Sequence, residues 1–504
     1  MTDSFILGID SGNTVTKAAV FSEAGSLISL GDCEVVRIKP RPRFVERDMN
    51  VHWQMTCQAI RQAVAQAGID PSQIAAVTAT GHGDGLYLVD EDGAPLGNGI
   101  VSLDSRSAPV IERWEAEGVH DEALKITGQM PYAPAPSALL RWIKENEPER
   151  YGRIRWVLSC KDWLRYKLTG EIATDWTEAS TAFVDPDTQD YSAAALRLFG
   201  LEEMERALPE AHDPCAVMGE ITPEAAEATG LKVGTPVAAG LHDVTASAIG
   251  SGVAEQGVVS ILAGTFSVNE IISGEPKPSP EWYCRNSFRR GEWMNMTLSP
   301  ASSANIDWFV KQCCRDAIRL AEERGGSAYD YLEEELSEAF AGDSRSVYHP
   351  FLYGSPHGND SSAAFLGLQG WQHRGHMMRA LLEGVVFNHR HHVDALRSGF
   401  HIKGARLTGG SSRSPRICQL FSDGLGLDLE TVDVDEAGAL GAALCGAVAV
   451  GLYGDLGEAA RRTVSVSSTF SPRPQVHRTL DDGYQRYKST IHQLRSEWRG
   501  LRGE

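Results

Sequence analysis

Basic residues are in short supply: 47 Lys and Arg stand against 67 Asp and Glu among 504 residues, a formal charge of −20. A chain this acidic repels phosphate backbones and anionic lipid, so neither a nucleic-acid nor a membrane-surface role is expected. A nucleotide site is not excluded, because it needs only local amides, one cation and a metal. Cysteine is sparse and scattered: Cys33, Cys57, Cys160, Cys215, Cys284, Cys313, Cys314, Cys418 and Cys445 include no Cys-x-x-Cys pair. This excludes a disulfide framework and reads as reduced thiols in a reducing compartment. The opening Met1-Thr2-Asp3-Ser4-Phe5 lacks a basic region followed by a long apolar stretch, so no secretory leader is expected. Residues 437–454 carry no formal charge, but they are built from Ala and Gly more than Leu or Ile, with acids on the flanks. They read as a tightly packed internal helix rather than a membrane span. A cytoplasmic protein is expected.

What is present suits a globular enzyme. The chain is 42% hydrophobic with 50 Gly and 23 Pro, enough apolar residue for large cores, and its length suggests two or three domains. Phe5-Ile6-Leu7-Gly8-Ile9 predicts a buried strand, Asp10-Ser11-Gly12-Asn13 a turn, and Thr14 to Phe21 a returning strand. A third strand, Ser26 to Leu30, follows. Trp53, Cys57, Ile60 and Val64 recur at helical spacing, and Ile74 to Thr80 resumes as a strand. The order predicts a mixed sheet covered by helices. Midway, Val258 to Leu262, Ala263-Gly264-Thr265-Phe266-Ser267 and Val268 to Ser273 repeat the strand, small-residue turn, strand pattern. Two copies of one domain type are therefore expected, with a hinge near Gly250-Ser251-Gly252. Tyr484, Tyr487, Ile491, Leu494 and Trp498 share one face of a C-terminal helix, expected to dock on the second domain.

Several short stretches could carry chemistry. In the first turn, glycine lets backbone N–H groups approach an anion, Asp10 can hold a hydrated Mg²⁺, and Lys17 adds positive charge; plain hairpin punctuation is the alternative. Thr408-Gly409-Gly410-Ser411-Ser412 is a glycine-rich strand-to-helix turn before Ser414-Pro415, suited to a nucleotide or to a tight crossover. The Glu436 to Ala443 stretch suits close helix packing or close approach of a ligand. Asp243 follows the apparent strand Pro236 to Gly240 and opens a small-residue helix, where an acid can take a proton from an alcohol or simply cap the helix. Gly81-His82-Gly83-Asp84-Gly85 would expose His82 and Asp84 beside the backbone, as a polyol site needs. Asp104 and Arg106 add sugar contacts or form a surface ion pair. His389 and His392 lie one helical turn apart, but no carboxylate completes a zinc set, and packing is the better reading.

In this order, Gly8 to Thr14 with Lys17, the Asp243 segment, Ala263-Gly264-Thr265, Thr408 to Ser411 and Glu436 to Ala443 resemble the FGGY family of carbohydrate kinases. The resemblance runs from Ile6 to about Trp498. It implies an α/β fold of two actin-like, ribonuclease H-like ATPase domains with a central cleft, residues 1–249 for sugar and phosphate and 250–504 for ATP. It implies ATP and Mg²⁺ as cofactors and Asp243 as the catalytic base. Asp10 would hold Mg²⁺ through water. Gly12, Asn13, Thr14, Lys17, Gly264 and Thr265 would surround the phosphates, and Gly409, Gly410, Ser411 and Glu436 would complete the nucleotide site. His82, Gly83, Asp84, Asp104, Arg106 and His242 would join Asp243 around the sugar.

Glu46-Arg47-Asp48-Met49, Pro95-Leu96-Gly97-Asn98, Asp104 with Arg106, Phe351 to Ser355 and Glu383 to Phe387 favour the branch that phosphorylates L-xylulose. D-Xylulose, erythritol, glycerol and a keto-gulonate are the alternative acceptors. The partner is a small-molecule sugar or polyol, with a homodimer the one macromolecular assembly left open. The chain departs from the family pattern at Val244, where Asn or Gln is common, and at His242, Asn13 and the sugar loop. A non-kinase ATPase on the same scaffold would not need the polar cluster His82, Asp84, Asp104 and Arg106. A silent sugar sensor would not need Asp243.

Overall fold

The computed structural model describes residues 4–342, 344–358 and 361–502. The chain divides into two compact units, and the division is not a single cut. The first unit comprises residues 1–256, 272–295 and 434–465; the second comprises 257–271, 296–433 and 466–504. The residues expected to form a hinge, Gly250 to Gly252, lie inside the first unit. Gly250 ends the helix Asp243–Gly250, and a Cβ there would stand 1.8 Å from the Ala437 carbonyl oxygen. Its small size serves packing, not bending.

The first unit is built on a six-stranded sheet. Strand Phe5–Ser11 pairs antiparallel with Val15–Ser22 through the register Asp10↔Lys17, and parallel with Ile74–Gly81. Val15–Ser22 pairs in turn with Leu27–Glu34, and Pro236–Ala238 lies parallel to Ile74–Gly81 on the other side. The helix Met49–Ala67 covers one face, capped at its start by the Asp48 side chain and ended by Gly68 in the left-handed region. The helix Ala437–Ala449 packs on Phe5–Ser11, Ile74–Gly81 and Asp243–Gly250. Its Gly and Ala content has a steric cause: a Cβ on Gly441 would lie 1.8 Å from the Ala246 carbonyl oxygen. Residues 437–449 of the uncharged 437–454 stretch thus form the expected internal helix, and 450–454 lie in the turn beyond it. Among the described residues no helix is long and apolar enough to cross a membrane.

The second unit repeats the plan. Val258–Ala263 pairs antiparallel with Ser267–Ser273 and parallel with Gly404–Thr408, which is followed by parallel Leu429–Val432 and antiparallel Val466–Phe470. The long helix Arg374–Gly399 carries His389, whose Nδ1 lies 2.9 Å from Asn269 Oδ1 and whose Nε2 lies 3.1 Å from Ser302 Oγ. His392 Nε2 meets Ser299 Oγ at 2.9 Å. These histidines serve a buried polar network, and no metal-binding cluster is found among the described residues. The C-terminal helix Pro474–Arg502 buries Tyr487 and Trp498 against His349 and Phe351. All nine cysteines are free.

Candidate active site

A strand end and a helix start deliver two acids to one region of the first unit. Asp10 sits on the strand before the first turn, and Asp243 opens its helix after the Leu241-His242 turn. Burial, opposed by Lys17 and reinforced by Glu436, lifts the Asp10 carboxyl to about 6. Burial, with Asp10 and Asp84 nearby, lifts Asp243 to about 7 although the Val244 and Gly83 backbones bond it. The Val244 N–H donates to Asp243 Oδ1 at 2.7 Å, and 31% of the side chain remains exposed. Asp243 is therefore reachable and able to exchange a proton near neutral pH.

The turn that holds Asp243 is anchored from below. His242 N–H donates to Thr177 Oγ1 at 2.9 Å, and Thr177 hydroxyl donates to Asp175. Asp175 and Asp162 each lie 2.7 Å from the buried Lys161 ammonium, and Arg165 lies 2.9 Å from Asp162. This lattice carries its own countercharges, so it stiffens the site without leaving a free buried ion. Above it, a Cβ on Gly83 would stand 1.9 Å from His242 Nε2, so glycine is required there for the imidazole to lie against the sugar loop.

His242 links two charged groups. Burial holds it well below the ordinary histidine range, so it is neutral. Arg285 Nη1 lies 3.3 Å from His242 Nε2 and can only donate, which leaves the hydrogen on Nδ1, 3.3 Å from Asp243 Oδ1. Arg285 Nη2 in turn lies 3.2 Å from Asp84 Oδ1, and the Tyr132 hydroxyl donates to Asp84 Oδ2. Sequence reasoning found Asp84, His242 and Asp243 but not Arg285, Tyr132 or Gln129.

Other expected sugar residues sit elsewhere. His82 is 1% exposed, with its ring nitrogens at 3.1 Å from the Tyr87 hydroxyl and 3.3 Å from the Gly83 carbonyl. The glycines around it do not expose it; burial and the Arg47 charge hold it at about 3, hence neutral. Asp104 and Arg106 form a buried pair, not a surface one. Arg106 Nη2 lies 2.8 Å from Asp104 Oδ2 and 2.6 Å from Glu46 Oε1, with the Arg106 side chain 1% exposed. Asp104 also accepts from the Val45 N–H at 2.7 Å and the Arg106 N–H at 2.9 Å, which fills its lone pairs. This fork ties loops together.

The first turn is braced for anion work. Arg47 donates to the Gly12 carbonyl at 2.9 Å, Ser11 Oγ lies 2.7 Å from His52 Nε2, and Asn13 Nδ2 donates to Ser102 Oγ at 2.9 Å. Thr14 is exposed at the tip, and Gly12 N–H closes the turn on Val15 O at 3.0 Å. Lys17 bonds Glu436 at 2.7 Å and stays 34% exposed. The carboxylates fit a hard cation: Asp10 is dehydrated, and its charge is opposed by Glu436 and Asp243. Without a three-residue cage among the described residues, Mg²⁺ would keep waters and phosphate oxygens as its remaining ligands.

In the second unit a cavity of ≈ 830 Å³ is lined by Gly264, Thr265, Ser303, Gly410, Ser411 and Pro415 among others. Ser303 fastens its wall, donating from N–H to Gly264 O at 3.0 Å and from Oγ to Ala263 O at 2.9 Å, and meeting Ser411 Oγ at 3.1 Å. Gly409 begins the turn that carries Gly410 and Ser411, and the helix Pro415–Leu425 starts at its edge, where the Ile417 N–H donates to Ser414 Oγ. The volume suits a drug-sized or nucleoside-sized ligand.

Residues 5–250 match the N-terminal domain, and residues 259–450 the C-terminal domain, of the FGGY family of carbohydrate kinases. The L-xylulose/3-keto-L-gulonate kinase of Escherichia coli K12 is 32% identical over 495 residues, covering 97% of each chain. The crystal structure of xylulose kinase from Rhodospirillum rubrum is 26% identical with a TM-score of 0.85, covering 98% of this chain and 99% of that one. The ligand-bound xylulose kinase from Lactobacillus acidophilus shares the fold at a TM-score of 0.90 and 21% identity, covering 99% of this chain and 100% of that one.

Proposed function

We propose, from the premise that this chain belongs to the FGGY family of carbohydrate kinases and uses ATP to phosphorylate a sugar, that its acceptor is L-xylulose and its product L-xylulose 5-phosphate. The carrying observation is the Asp243 carboxyl, partly exposed at a helix start and poised at about 7 beside the Asp84–Arg285–His242 cluster. The likeness to the L-xylulose/3-keto-L-gulonate kinase over nearly the whole chain supports the choice of sugar. That relative's second named acceptor, 3-keto-L-gulonate, is the alternative.

Asp243 accepts the proton of the terminal hydroxyl as the oxygen attacks the γ-phosphorus, the bond to the β,γ-bridging oxygen breaks and ADP leaves, while Val244 and Gly83 hold the carboxylate in place. Phosphoryl transfer depends on positioning and charge neutralisation, which the hairpin supplies through Gly12, Thr14 and Lys17. Mg²⁺, when bound near Asp10, would neutralise phosphate charge. Gly264, Thr265, Gly410 and Ser411 receive the nucleotide in the second unit's cavity. Asp84, Tyr132, Arg285 and His242 orient the sugar; Asp104 and Arg106 support the loops behind it. Nine free thiols and dependence on ATP support a cytoplasmic setting.

An ATP-consumption screen over pentuloses, hexulosonates, tetritols and glycerol tests the proposal. L-Xylulose should give the highest kcat/KM. A wide margin for D-xylulose, erythritol or glycerol would overturn the acceptor.

A further inference from the structure

The Asp84–Arg285 pair bears on whether the acceptor is a neutral ketose or a sugar acid. Both side chains are nearly closed to solvent, 10% and 5% exposed. Arg285 Nε donates to Gln129 Oε1 at 3.0 Å, Nη1 meets His242 Nε2 at 3.3 Å, and Nη2 lies 3.2 Å from Asp84 Oδ1 and 3.4 Å from the Tyr132 hydroxyl. Each guanidinium nitrogen is therefore engaged by the protein, with one Nη1 hydrogen left for a ligand, and one carboxylate already matches its charge. His242 spans the gap to Asp243, so the pair lies an imidazole's width from the carboxylate that meets the reacting hydroxyl.

Charge there is unbalanced. Asp10, Asp84 and Asp243 crowd one region, and the first and second of these push the third toward its protonated form. His82 and His242 are neutral. Lys17, which opposes the Asp10 charge, is itself paired with Glu436; Lys161 is held by Asp162 and Asp175, and Arg47 is turned to the Gly12 carbonyl. A neutral polyol needs only to exchange hydroxyl hydrogen bonds with water for bonds to Asp84, Tyr132 and Arg285. An acid must bring a further carboxylate toward Asp84 and Asp243 while the neighbouring guanidinium is already engaged.

We infer that Asp84 and Arg285 together make this enzyme selective for neutral polyhydroxy ketoses over sugar acids, with Asp84 the residue that excludes a carboxylate. The inference rests on the sugar-kinase reading above and chooses between its two named acceptors.

The test compares kcat/KM for the best neutral ketose of the screen and for 3-keto-L-gulonate in the wild type, Asp84→Asn and Arg285→Gln. The wild type should prefer the neutral sugar. Asp84→Asn releases the guanidinium while its amide oxygen still accepts from Tyr132, and should shift the ratio toward the acid about tenfold or more. Arg285→Gln leaves Asp84 without its countercharge and should shift the ratio the opposite way. A purely structural pair would depress both sugars alike. An unchanged ratio in both variants, or a wild type that prefers the acid, overturns the inference. A wild type that phosphorylates no sugar in the screen overturns the acceptor proposal, and this inference with it.

Discussion

Gly438 and Asp10 stand so close that a Cβ on the glycine would lie 2.3 Å from Oδ2 of the carboxylate. The helix Ala437–Ala449 thus reaches the first strand where its acid is presented, with no room for a methyl group. Gly438→Ala should displace Asp10, and a displacement near 1 Å at a reacting centre can cost roughly a hundredfold in rate. The expected result is a large fall in kcat and a higher Mg²⁺ requirement, with sugar affinity by calorimetry unchanged. Equal loss of sugar affinity would show that the helix shift reaches beyond Asp10.

Asp243→Asn should lower kcat by on the order of 10²–10⁴ while sugar binding persists, because the amide keeps the shape but cannot accept the hydroxyl proton. Pairing kcat with sugar Kd separates this from a helix-capping role, whose loss costs only about 1 kcal/mol of stability. Near-normal turnover would remove Asp243 as the base and turn attention to Asp84.

A base poised at about 7 also fixes the acid limb of the rate profile. kcat/KM should rise with pH through about 7 as Asp243 ionises, then level off. Stability should run the other way. Asp10 and Asp243 bind protons more tightly in the folded chain, at about 6 and about 7 against 3.8, so their charged forms disfavour folding increasingly as pH rises from about 4 through 7. Asp243→Asn should therefore melt higher than the wild type at pH 8 and lose that advantage near pH 4. An equal offset at both pH values would refute the linkage.

Arg106→Ala should unfold the protein more easily, since it leaves Asp104 and Glu46 without their shared guanidinium. Breaking a buried pair typically costs about 3–5 kcal/mol. The sugar KM of the protein that remains folded should stay near the wild-type value. A selective rise in sugar KM with unchanged melting would instead place Arg106 at the sugar.

The hairpins around Asp10 and Gly264, the helix-start position of Asp243 and the internal helix at 437–449 were legible because each has a local signature. Apolar runs, turn residues and helical spacing act over a few positions. Arg285 was not legible: nothing in its neighbourhood distinguishes it from Arg289 and Arg290, which the fold leaves about a third exposed while Arg285 is 5% exposed. Its role depends on meeting Asp84 and His242 across long stretches of chain. His82 misled for a related reason. Flanking glycines suggested an open loop, yet the Tyr87 hydroxyl, brought by a strand that pairs with Trp156–Leu158, draws the ring inward. Asp104 and Arg106 likewise gave no local sign that Glu46 and Val45 would claim them.

The interleaving of the two units sets an order of events during synthesis. The first 256 residues carry most of the first unit, including its six-stranded sheet, yet the helix that seals the back of that sheet begins only at Ala437. At about 5–20 residues per second, a ribosome leaves the sheet without that cover for on the order of ten seconds or more. The groove later filled by Gly438, Gly441 and Ala443 is narrow, and it admits no bulky side chain as a substitute. The last contact at Asp10, that of Gly438, therefore arrives only when residues 434–465 thread back, and a chain stopped before residue 437 holds both acids without the helix that closes on the first of them.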